Sequence, residues 1–179
     1  MSVQKFKLQR NHSWKSKPGH SICVLDRGVV RFEYPSAWRV DSKDGAVYLH
    51  DLASTVESCD LGVSIFRIPV EAIEALPMEE LLLQSVDSER KPYHQSEIRR
   101  SPRQDLEIAW LEQQYLESTQ RRDARFRIAI ARGPVICLIS LNYWSDRATK
   151  LEPVWEHVLG TLQLSADTIS DPTKGPVVQ

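Results

Sequence analysis

Apolar residues recur at every second position in Ala124-Arg-Phe-Arg-Ile-Ala-Ile130, which puts Phe126, Ile128 and Ile130 on one face of a strand and Arg125 and Arg127 on the other. The next segment, Val135-Ile-Cys-Leu-Ile-Ser-Leu141, is apolar on both faces, the pattern of a central strand covered from both sides. Leu151, Val154, Trp155, Val158, Leu159 and Leu162 follow at spacings of three and four, the stripe of a helix laid on a sheet. Trp155 is expected to be buried against Phe126 or the central strand. Upstream, Leu106 to Glu117 reads as a long strand whose alternation changes phase near Trp110, which predicts a bulge there. Pairing it with the following strand predicts Tyr115 opposite Phe126 and Leu111 opposite Ile130.

Earlier in the chain, Ile22 to Leu25 and Val29 to Tyr34 flank Asp26-Arg27-Gly28, a hairpin in which Gly28 supplies a positive φ. Pro35 ends the second arm, Asp44-Gly45 marks a turn, and Ala46 to His50 and Leu61 to Ile68 read as strands around a polar loop. A helix follows in two pieces, one near Glu71 to Leu76 and one after Pro77, with Glu79 and Glu80 where the helix dipole favours acids. Beyond Lys91-Pro92 comes a weak strand around Glu97 to Arg100. Strand meanders broken by one helix and closed by another predict an α+β fold, an antiparallel β-sheet meander flanked by helices as an α/β/α sandwich. The expected organisation is a basic arm or edge strand over residues 1–20, a single domain over 21–164 and a disordered polar tail over 165–179.

At 179 residues the chain suits one domain whose core needs no disulfide or metal. Three cysteines, an odd number, argue against a disulfide framework and for a reducing compartment. Cys23 and Cys137 lie in apolar strands, whereas Cys59 is the one expected near solvent, with acidic neighbours that raise its pKa and disfavour a nucleophile. The first ten residues carry no apolar leader, and no run of about 18 apolar residues occurs, so a cytoplasmic protein without a membrane span is expected. A net charge of −1 gives no general attraction to nucleic acid.

The five histidines show no ligand spacing; His50-Asp51 reads as an orienting pair or as an exposed strand end. Neither a phosphate-cradling glycine loop nor a Gly-x-Ser-x-Gly element occurs. No catalytic, cofactor-binding or metal-ligating residue is assigned, and no cofactor is expected. Trp38, Trp110 and Trp155 occupy core positions, while Trp14 sits at an element boundary. Lys5, Lys7, Arg10, Lys15 and Lys17 precede the first acid, and Arg99, Arg100 and Arg103 cluster before a strand. Trp14, Arg99, Arg100 and Arg103 are therefore the candidate interaction residues, with a solvated face as the plainer reading. On the interaction reading, changing the three arginines to serine weakens partner capture and leaves the melting temperature nearly unchanged.

Phe32-Glu-Tyr-Pro-Ser-Ala-Trp-Arg-Val40, the long meander and the closing helix Trp155-Glu-His-Val-Leu-Gly-Thr-Leu162 resemble the PsbP-like superfamily. That superfamily shares its fold with the fungal Ran-binding nuclear import factor and with DcrB-like proteins. The resemblance covers residues 21–164 and transfers no functional residue. It implies a non-catalytic protein-interaction or chaperone-like module, since known members bind photosystem subunits, a small GTPase or, in the Eag-type chaperones, secreted effectors. The partner expected here is another protein, such as a secreted effector, or a second copy of the chain. An enzyme or small-ligand binder with a cleft between helix and sheet is the alternative.

Overall fold

The computed structural model describes residues 15–43, 46–51, 59–86, 90–103 and 106–166. Trp14, most of the basic arm, the Asp44-Gly45 turn, most of the polar loop before Asp60 and the tail beyond residue 166 lie outside the described residues. The chain runs β1 (His20–Leu25), β2 (Val30–Pro35), β3 (Arg39–Lys43), β4 (Ala46–His50), β5 (Asp60–Phe66), α1 (Val70–Glu74) and α2 (Met78–Gln84). It continues through β6 (His94–Gln95), β7 (Arg99–Pro102), β8 (Glu107–Glu117), β9 (Arg122–Arg132), β10 (Ile136–Trp144), α3 (Ala148–Thr161) and β11 (Gln163–Leu164).

The main sheet has the order β3-β4-β5-β10-β9-β8-β6, with β7 also pairing β8, and every pair in it is antiparallel. β10 is central, as its two-sided apolar pattern predicts. The hairpin β1–β2 forms across Asp26, Arg27 and Gly28, all at positive φ. It does not extend the main sheet but joins β11 in a separate three-stranded sheet. On one side of the main sheet, that small sheet and α3 enclose a core with Phe32, Leu49, Leu61, Ile139, Leu151 and Trp155. On the other, Ile73 of α1 and Met78 and Leu82 of α2 pack over Leu111, Ile128 and Ile130. The fold is α+β, with helices on both faces of an antiparallel sheet.

The expected bulge at Trp110 is absent. The β8–β9 ladder runs unbroken from Glu107↔Arg132 to Glu117↔Arg122. The phase change arises because this strand is buried on both faces: Ile108 and Trp110 join the core under α3, while Ala109 and Leu111 join the core under α2. Register also corrects the expected pairs. Tyr115 lies opposite Ala124 and Leu111 opposite Ile128, a two-residue shift that keeps each side chain on its face. Trp155 is fully buried, but its neighbour is Trp110, met edge-on at 5.9 Å between ring centroids. Phe126 belongs to the core on the opposite face of the sheet. No described helix is long and apolar enough to cross a membrane.

Two arginines satisfy the carbonyl ends of helices, where the last turn leaves acceptors without intrahelical donors. Arg132 Nη1 donates to the carbonyls of Ile73, Glu74 and Leu76 around the end of α1, while its other nitrogens pair with Glu107. Arg103 Nη1 donates to Leu159 O, Gly160 O and Leu162 O at 3.0, 3.2 and 2.7 Å, closing the end of α3. Arg103→Ala should therefore destabilise the fold by about 2 kcal/mol, as charge-assisted hydrogen bonds to carbonyls do. Urea denaturation checks it; an unchanged midpoint would show that the end of α3 holds without the cap.

Candidate functional site

α2 covers only the middle of β8 and β9. Further along the same face, Arg90 takes over as the covering group. Its guanidinium carbon lies 3.8 Å from the centroid of the Phe126 ring and 5.1 Å from that of Tyr115. Tyr93 N–H donates to Gln114 O at 3.0 Å, and β6 pairs with β8 only at Gln113 and Gln114. β8 continues beside β9 to Glu117. Where the β6 ladder stops, a cleft of about 660 Å³ opens, lined by Arg90, Lys91, Tyr93, Tyr115, Leu116 and Glu117.

The lining mixes apolar side chains with two cations and one acid. Tyr93 is 61% exposed and Leu116 51%, two large apolar side chains at the lining, with Leu116 on the face of β8 opposite to Tyr115. The acids nearby are engaged. Glu117 accepts from the backbone N–H groups of Thr119 and Gln120 at 3.0 and 2.6 Å, which holds its carboxyl below the usual range. Asp123 accepts from the Tyr93 hydroxyl at 3.3 Å, and the Tyr115 hydroxyl donates to Asn142 Oδ1 at 2.8 Å. Arg90 Nη1, by contrast, is buried and has no hydrogen-bond partner.

The other titratable groups are largely used up inside the fold. Under α3, Arg127 Nε donates to Glu112 Oε2 at 2.6 Å, and Glu152 Oε1 takes Arg125 and Arg127 at 2.9 and 3.1 Å. Burial pushes the Glu112 carboxyl up, but Arg127, Gln114 and Arg125 together outweigh it and hold the group below its ordinary value. Asp51 is likewise depressed: burial raises it, and Arg147 with the Cys59 N–H lowers it further. Cys59 is fully buried, not near solvent, because its backbone is tied to Asp51. Burial pushes all three thiols up to about 12, so none is an available thiolate at neutral pH. His50 pairs through Nδ1 with Asp60 at 2.6 Å rather than with Asp51. Adjacent strand residues point to opposite faces, so the sequence neighbours His50 and Asp51 never meet.

Of the residues singled out from the sequence, Trp14 lies outside the described residues, and Arg99, Arg100 and Arg103 do not line the cleft. Arg99 sits over the Trp110 ring at 4.9 Å, Arg100 bridges Glu79 and Glu107 at 2.8 and 2.6 Å, and Arg103 caps α3. The three are therefore structural contacts as well as charges, and replacing all three by serine should lower the melting temperature rather than leave it unchanged. Sequence reasoning missed Arg90, Tyr93 and Leu116. Their one signal is Lys91-Pro92, a break that sends the chain across the end of a strand finishing in two consecutive apolar residues, Tyr115 and Leu116. Among the described residues, no His, Cys, Asp and Glu side chains are grouped in a set that could hold a metal.

Comparison with known proteins settles the relationship. The model of the Alr1449 family matches residues 21–167. The chain belongs to the Alr1449 family. The uncharacterized protein alr1449 of Nostoc sp. (strain PCC 7120) is 31% identical over 171 residues, 94% of this chain and 88% of that protein. A crystal structure from Bacteroides thetaiotaomicron superposes with a TM-score of 0.58 at 12% identity, over 82% of this chain. The Alr1449-family chain spans about half of that protein, 49%. The solution structure of cyanobacterial PsbP (CyanoP) from Synechocystis sp. PCC 6803 matches at 0.51 and 13% identity, over 84% of this chain and 95% of that one. At such identities the likeness concerns the fold alone, and that fold is PsbP-like.

Proposed function

We propose that this Alr1449-family chain is a non-catalytic protein-interaction module that binds through the cleft at the end of β8. The observation that carries the reading is the pairing of two exposed apolar side chains, Tyr93 and Leu116, with two cations, Arg90 and Lys91, in one cleft. Exposed aromatic and basic groups at the rim of a concave surface are the composition of a binding site. The strand beside them supports the same reading, because Tyr115 to Glu117 pair with β9 on one side while the β6 ladder on the other has ended. A strand end in that position can accept an extended segment of another chain.

The resemblance to the PsbP-like superfamily, whose known members bind other proteins, supports the same reading with another protein as the partner. Three buried, protonated thiols suit a cytoplasmic setting. The enzyme alternative needed a cleft between helix and sheet. Between α3 and the main sheet, Trp110, Trp155 and the ion pairs between Glu112, Arg127 and Glu152 occupy the space, which favours the interaction reading.

Site-specific photo-crosslinking tests the reading. A photoreactive phenylalanine at Leu116, and separately at Tyr93, should give the same discrete protein adduct in the native cells. The same group at exposed Thr149 of α3 should not. Adducts from Thr149 with none from Leu116 or Tyr93 would overturn it.

A further inference from the structure

We infer that the cleft at the end of β8 takes a monoanionic carboxylate with an apolar body, the carboxylate seated on Arg90. The inference deepens the interaction reading and rests on the same cleft. Three features of Arg90 carry it. Its guanidinium lies against the Phe126 and Tyr115 rings, which fix the plane of the donor fork and exclude water from one face. Its Nη1 is buried without an acceptor, a costly state that an anion relieves. Among the described residues, the two acids at the cleft already have donors, Glu117 from Thr119 and Gln120 and Asp123 from Tyr93.

Geometry narrows the ligand. A planar fork held on aromatic rings fits a planar two-oxygen acceptor. Tyr93 then offers apolar surface at the same cleft, and a volume of about 660 Å³ suits a body of a few residues or a medium-length acyl or aryl chain. The same chemistry is presented by the free C-terminus of an extended peptide and by a free organic acid.

The test uses the full chain and isothermal titration with four probes. An acetylated tetrapeptide, Ala-Ala-Val-Phe, is supplied as the free acid and as the C-terminal amide; hydrocinnamate and phenyl phosphate complete the set. At least one of the two carboxylates should bind, the peptide acid at least 10-fold more tightly than its amide if it is the one that does. Arg90→Gln should weaken that binding at least 10-fold, and Lys91→Gln by a smaller factor. A thermal melt of each variant separates lost binding from lost folding, and the exposed Lys91 change serves if the Arg90 variant does not fold. Equal binding of peptide acid and amide, no binding of either carboxylate, or tighter binding of phenyl phosphate than of hydrocinnamate would each overturn the inference. Binding of hydrocinnamate without the peptide acid supports the carboxylate site and makes a free organic acid its source, which counts against the interaction reading. A crosslinked partner at Leu116 with no carboxylate bound leaves that reading standing and removes this one.

Discussion

Replacing Trp155 with alanine should cost about 3–5 kcal/mol, the range for emptying a buried aromatic site. The indole is fully buried and meets the Trp110 ring edge-on at 5.9 Å, so its loss opens a cavity between α3 and the sheet. α3 depends on that contact more than most helices. It has 14 residues and carries Pro153 in its interior, which removes one backbone hydrogen bond. Docking through Leu151, Trp155, Val158 and Leu159 therefore supplies most of its stability. Trp155→Phe should cost clearly less than Trp155→Ala. It keeps an aromatic ring in place and removes the indole N–H, which is buried without a partner. Urea unfolding of both variants checks the argument. Equal losses for Phe and Ala, or an unchanged midpoint for Ala, would mean that this ring does not anchor α3.

The elements with a clean period were legible from the sequence, because burial on one face leaves a visible alternation. Strand β9, the stripe of α3 and the two-piece helix at Pro69 and Pro77 follow their patterns closely. β8 misled for the same physical reason in reverse. With Ile108, Trp110 and Glu112 facing one layer and Ala109, Leu111 and Gln113 the other, all six are buried and the period of two vanishes. What resembles a phase slip is two-sided burial. Register was harder still, since a shift of two residues preserves every face and leaves no trace in the hydrophobic pattern. The hairpin β1–β2 was recognisable from its turn, yet nothing local says that it leaves the main sheet to pair with β11, more than a hundred residues later.

The cleft was not legible, because its parts come from places that the sequence treats as unremarkable. Arg90 follows a helix as an ordinary surface cation would, and only the fold sets it on Phe126. The arginines that stood out, Arg99, Arg100 and Arg103, stood out by density. Density along the chain does not distinguish a binding patch from a set of braces, and here each reaches a different structural partner. Arg125 and Arg127 were placed correctly opposite Phe126, but alternation alone reads that face as solvent. A charge pair hidden under a helix is invisible until Glu112, two positions from Trp110, and Glu152 on α3 are seen to converge on it.

That convergence carries the second large effect. Glu112→Gln should destabilise the fold by about 3–5 kcal/mol, because it leaves Arg127 buried with its nearest counter-charge gone. The Arg127 side chain is 7% exposed, and Glu112 Oε2 also accepts from the Tyr143 hydroxyl at 3.4 Å. Arg127→Leu alone should cost a similar amount, for it removes the carboxylate's closest counter-charge and leaves only Arg125 at 3.4 Å. The double change, Glu112→Leu with Arg127→Leu, should recover much of the loss, since a matched pair replaced by apolar groups forfeits little net energy. The sign of the pH dependence follows from the depressed carboxyl. Its contribution is complete above the unfolded glutamate value of about 4.3 and is lost as the pH falls through the lower folded value. The stability difference between parent and Glu112→Gln should therefore be constant near neutrality and shrink in acid. Chemical denaturation at several pH values measures it. A gap that stays constant down to the acid limit, or a double variant as unstable as the two single losses added together, would show that Glu112 and Arg127 do not act as a pair.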